Sequence, residues 1–194
     1  MHIHNTPHTT IYRNIKYPRL ELKTGTLVLI LPKDCKNKEQ LLLKHEKWIK
    51  QKQQTIQKAI QRAKTTKLNQ TRTLPQLKTL IANLTEQYKS ELNTKTNKIL
   101  YRKMKTKWAS LSQNRNLTIN TLTRHLPENL IQYIIYHELT HAKHGKNHNT
   151  TFWKQITAHY PNHNKLENQL LAHWFQIQQT QTSSGYETET SKTP

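Results

Sequence analysis

The sequence predicts an α+β fold, a small N-terminal antiparallel sheet with long helices, and three observations carry that reading. Strand-like alternation is confined to a short early stretch, residues 18–32. Two later stretches, 38–66 and 73–92, repeat apolar residues at helical spacing. A further helical stretch opens at Pro127, apolar as a core helix at first and crowded with histidines at its end.

Each element has its own local reason. "PRLELKTGTLVLILP" reads as two strands about a Thr24-Gly25 turn, with Leu20 and Leu22 alternating against polar neighbours. From Lys38 to Thr66, Leu42, Trp48, Ile49, Ile56, Ala59, Ile60 and Ala63 form the apolar stripe of one long amphipathic helix. Thr73 and Pro75 start a second helix, whose Leu77, Leu80, Ile81, Leu84, Tyr88 and Leu92 share a face. "NKILYRKM" and "NLTIN" are short β-like runs that would extend the hairpin into a small sheet, with Trp108 between them. Pro127 opens a buried helix reaching about His144, and Asn164 to Gln179 reads as the last helix. The final "TQTSSGYETETSKTP" has too little apolar surface to fold.

Composition narrows the function. The longest apolar run, Leu27 to Leu31, is far shorter than the roughly 18 residues of a membrane span, and no apolar signal segment is visible, so a cytoplasmic protein without membrane attachment is expected. The single cysteine, Cys35, agrees with a reducing compartment. Lys and Arg number 31 against 11 acidic residues, a net charge of +20. Residues 33–107 hold 20 of those bases and 5 of the acids, so a polyanion such as nucleic acid is a candidate partner there. No recognised DNA-binding motif stands in that region.

The chemistry lies in "YIIYHELTHAKHGKNHNTTFW". His137 and His141 are four apart and therefore project from one helical face, one turn above the other, a separation suited to a single Zn²⁺. Glu138, beside the first, is placed to serve as a base rather than a ligand; this is the HExxH pattern. A catalytic zinc usually has three protein ligands. Candidates for the third are His144, His148, His159, His163 and Glu167. His144 lies about 10.5 Å along the helix from His137, too far to share an ion with it. Gly145 can end the helix and let the chain return, which favours His148. His2, His4 and His8, near a polar terminus, read as incidental.

The hairpin, "KWIKQK", "KWASLSQNRNLTIN", "LPENLIQYIIYHELTHAKHGKNH" and "FW", in this order over most of residues 16–175, resemble the YgjP-like metallopeptidase family, which is related to the SprT-like proteins. The resemblance implies a zincin-type HExxH active-site helix and hydrolysis of peptide bonds in a protein or peptide substrate. It also implies one Zn²⁺ held by His137, His141 and His148, Glu138 as the catalytic base, and Asn147, Phe152 and Trp153 as the surrounding element. Ala109 and Leu111 stand where the family has Gly and Cys, Asn116 where Gly is common, and the interval from His141 to His148 is one residue longer. The organisation expected is a flexible N-terminus over 1–15 and a single metallopeptidase domain over 16–179. Within it, hairpin and basic helices occupy 16–107 and the zinc-binding catalytic part 108–179; residues 180–194 form a disordered tail. The alternative is a nucleic-acid-associated zinc protein, either a binder without activity or a protease acting on DNA-bound proteins.

Overall fold

The structure, a computed structural model, describes residues 8–23, 26–35 and 38–186. The expected Thr24-Gly25 turn, His2 and His4 lie outside the described residues. The class is α+β, as predicted, but the chain divides into two compact units, Met1–Thr65 and Thr66–Pro194. The second of the helices expected from periodicity falls in the second unit, because its whole stripe packs into that unit's core.

In the first unit, strands β1 (His8–Arg13), β2 (Arg19–Lys23) and β3 (Thr26–Pro32) form a sheet in the order β1-β3-β2. β2 and β3 make the expected antiparallel pair, with Leu20 opposite Leu29. β1 is parallel to β3, with Ile11 opposite Ile30, so the sheet is mixed and the N-terminus expected to be flexible contributes a strand. Flanked on both sides, β3 is the buried centre, and Leu27, Leu29 and Leu31 pack with Leu42 and Ile49. Those two come from α1 (Lys38–Lys44) and α2 (Glu46–Ala63), which replace the one long helix predicted. His45, at φ −105° and ψ 11°, breaks it, although no Pro or Gly occurs between Lys38 and Ala63.

The second unit begins with α3 (Leu74–Leu92), where the expected start is met in detail. The Thr73 hydroxyl accepts from the Gln76 N–H, and the Gln76 side chain accepts from the Thr73 N–H. Strands β4 (Ile99–Arg102), β5 (Ala109–Leu111) and β6 (Leu117–Asn120) follow. They do not extend the first sheet but form their own, in the order β4-β6-β5, with β4 parallel and β5 antiparallel to β6. Asn120, fully buried, ends β6 and caps a 3-10 turn over Thr121–His125 through the Leu122 N–H.

Helix α4 (Glu128–His144) is the axis of this unit. Leu130, Ile131, Ile134, Ile135 and Leu139 are buried, together with Tyr133, Tyr136 and Thr140, because α3, β5, α5 (Thr150–His159) and α6 (His163–Tyr186) all pack against it. The last helix runs seven residues beyond the predicted end at Gln179, and residues 187–194 lie outside the described part. Among the described residues no helix is long and apolar enough to cross a membrane.

Candidate active site

Helical spacing on α4 stacks His137 and His141 with ring centroids 5.2 Å apart. The helix then ends at Gly145, whose φ of 82° is a left-handed value that a side chain would disfavour. The chain turns back there and delivers His148 to the other two: its Nε2 lies 3.1 Å from Nε2 of His137, and its ring is 4.6 Å from that of His141. One ring nitrogen from each of the three falls within 4.8 Å of the others. Donors at about 2.0–2.1 Å around one tetrahedral ion are themselves about 3.3 Å apart, so the closest pair fits a shared ion.

Electrostatics and tautomers agree with that use. Burial lowers the basicity of all three rings, most for His137, which is pushed down to about 3 with further lowering from its two neighbours. Neutral rings keep a lone pair for a metal. The Gly145 carbonyl can only accept, so Nδ1 of His141 donates to it at 2.9 Å and Nε2 is left as the free donor atom.

Glu138 faces β5. Its Oε2 accepts from the Leu111 backbone N–H at 2.9 Å, and burial raises the carboxyl to about 7 against the lowering effects of that bond and of Lys107. A carboxyl tuned to that range can both take and return a proton near neutral pH. Imidazoles and carboxylate open on a cleft of about 1370 Å³ between β5 and its turn on one side and α4, the Gly145 return and α6 on the other.

The five candidates for a third histidine partner therefore separate. His148 joins the pair. His144 is not in the cluster, and its Nε2 is buried without a partner. His159 binds Glu91 at 2.8 Å and stacks on Tyr136. His163 turns to the Tyr160 carbonyl. Glu167 accepts from the Tyr133 hydroxyl at 2.5 Å and approaches Nδ1 of His137 at 4.0 Å.

Phe152 and Trp153 pack against the cluster itself. Phe152, fully buried, stacks on His141 at 4.5 Å, and Trp153 stacks on His148 at 5.5 Å. Asn149 caps α5 by accepting from the Phe152 N–H, which fixes this floor beneath the imidazoles. Trp108 instead meets Trp174 edge to face. Sequence reasoning passed over two participants. Tyr133 was detectable, being one turn before His137 on the same helical face; the Leu111 N–H was not, since a backbone donor leaves no residue-type signal.

The model of the YgjP-like family, described as a YgjP-like metallopeptidase domain, matches residues 75–173, half of the chain. The chain belongs to the YgjP-like metallopeptidase family. All of the matched region lies in the second unit, with the histidines and Glu138 inside it. Solved structures similar to this YgjP-like protein include the metallopeptidase zymogen of Pyrococcus abyssi abylysin, 25% identical over 47% of this chain and 91% of that chain, with a TM-score of 0.44. The metallopeptidase zymogen of Methanocaldococcus jannaschii jannalysin is 28% identical over 46% of this chain and 84% of that chain, with a TM-score of 0.42. No curated protein matches. A metallopeptidase implies a metal ion, and the three-imidazole set fits one.

Proposed function

We propose that this YgjP-like metallopeptidase hydrolyses peptide bonds with one zinc ion held by His137, His141 and His148 and with Glu138 as general base. The observation that carries the reading is the convergence of three imidazole nitrogens within 4.8 Å of one another on the cleft that Glu138 also lines. The chemistry a bound zinc supplies is that of a Lewis acid, acidifying water and polarising a carbonyl.

The chain's own residues do the rest. Glu138 takes a proton from the attacking water and returns it to the leaving amine; the Leu111 N–H on Oε2 holds the carboxyl group in place between the two events, leaving Oε1 for the proton. Burial of His137 and the Gly145 carbonyl on His141 keep both rings in the form that can ligate. Phe152 and Trp153 exclude water behind the imidazoles and hold their planes. Glu167, braced by Tyr133, lies 4.0 Å from Nδ1 of His137, which has no hydrogen-bond partner.

The test is Glu138→Gln. It keeps zinc, because it leaves the three nitrogens intact, and it loses at least about a hundredfold in peptide hydrolysis. Cleavage by that variant at the wild-type rate would remove Glu138 from the mechanism.

A further inference from the structure

Three cations line the cleft. Lys107, Arg115 and Lys146 line it from three different segments: the β4–β5 loop, the β5–β6 turn and the return after α4. Only two carboxylates line it, Glu138 and Glu167. The first is held by the Leu111 N–H and the second takes the Tyr133 hydroxyl. Among the described residues none of the three cations is paired with a carboxylate.

Two of these cations sit on anchored backbone. Asn120, fully buried, donates its amide to the carbonyls of Lys107 at 2.7 Å and Met104 at 2.9 Å and accepts from the Met104 N–H. A buried side chain with three of its four backbone bonds in this loop fixes the segment that carries Lys107. Lys107 is close enough for its charge to be felt by both Glu138 and His141. Arg115 occupies a left-handed position, φ 53°, unusual for a residue with a side chain. Its N–H donates to the Ser112 carbonyl at 3.0 Å, and its carbonyl accepts from the Asn97 N–H at 2.8 Å. These bonds fix the backbone from which the Arg115 side chain projects.

We propose that Lys107, Arg115 and Lys146 form a subsite for the carboxylate side chains of the peptide, so that acidic sequences are the preferred substrates. The proposal rests on the peptidase reading above. Positive charge along an open cleft attracts acidic segments and disfavours basic ones. Each exposed pair contributes modestly, so the selectivity is the sum of several contacts rather than one strong anchor.

The experiment uses full-length, zinc-loaded protein and a peptide library with matched members in which Asp and Glu are replaced by Asn and Gln, or by Lys. Wild type should cleave acidic members roughly three- to tenfold faster in kcat/KM than their amide counterparts, with the ratio shrinking as salt is raised. Lys107→Gln and Arg115→Gln should each reduce that ratio, and Lys107→Glu should favour basic members; a variant that merely folds badly would lower all rates without inverting the order. Cleavage by wild type with no acidic preference, while Glu138→Gln stays inactive, overturns the subsite and leaves the peptidase reading standing. If wild type cleaves no member, both fall. Inhibition by a short single-stranded oligonucleotide at lower concentration than by an acidic peptide overturns it in favour of a phosphate-binding cleft.

Discussion

Nδ1 of His137, buried and without a hydrogen-bond partner, lies 4.0 Å from Oε1 of Glu167, the oxygen that also receives the Tyr133 hydroxyl. If Nε2 of His137 faces a metal, Nδ1 carries the proton, and Glu167 is the carboxylate that a small side-chain shift brings to hydrogen-bonding distance. Glu167→Ala should therefore weaken zinc retention against a chelator by roughly 10- to 100-fold without abolishing it. Tyr133→Phe should have a smaller effect in the same direction, because Glu167 loses its brace. Unchanged retention in both variants would make the Tyr133–Glu167 pair a packing feature only.

His148→Ala should release zinc far more readily than Glu167→Ala, since it removes a ligand rather than a ligand's support. His144→Ala, outside the cluster, should retain zinc like wild type. Zinc held by His148→Ala but released by Glu167→Ala would reverse the assignment and make the glutamate the third ligand.

Phe152→Ala should cost about 3–5 kcal/mol of stability, the usual penalty for emptying a fully buried aromatic position, and thermal unfolding measures it. Its ring touches all three imidazoles, so zinc retention should fall with it, whereas a purely structural cavity would lower stability alone.

His173 gives a pH dependence separate from the metal. It is buried in α6, its Nδ1 is bound to the Gln169 carbonyl at 2.9 Å, and burial lowers its pKa from the ordinary 6.5. Below 6.5 the unfolded chain binds the proton while the folded one resists it. Stability is thus fully present above that pH and is lost as pH falls through 6.5 toward the folded value. Denaturant midpoints of wild type should drop across this range, and His173→Gln should flatten that part of the slope. Parallel profiles for the two proteins would exclude His173 as the source.

Much of this was legible in the chain because the signals are local. Thr73 and Pro75 announce α3, Pro127 announces α4, and Gly145 announces the return that brings in His148. What stayed hidden depends on distant partners. Pairing of β4 with β6 rather than with the hairpin is decided by tertiary packing, as is the recruitment of β1 beside β3. The ten-residue α5 buries only Phe152 and Ile156, too few positions to establish a period, though Asn149 does carry its cap. The break at His45 has no marker in the sequence. The excess of basic residues over 33–107 suggested a face for polyanions; the cations that line the cleft are Lys107 at its edge and Arg115 and Lys146 beyond it.

His137 and His148 are only eleven positions apart in the chain. Closing so short a loop costs little entropy, and most of it is helix and a glycine turn rather than free coil. The meeting of the three imidazoles is accordingly set by the end of α4 and its return, whereas the Leu111 N–H that meets Glu138 comes from β5, 27 positions earlier in the chain. Loosening β5 would thus disturb the setting of Glu138 while leaving the spacing of the histidines along the chain in place.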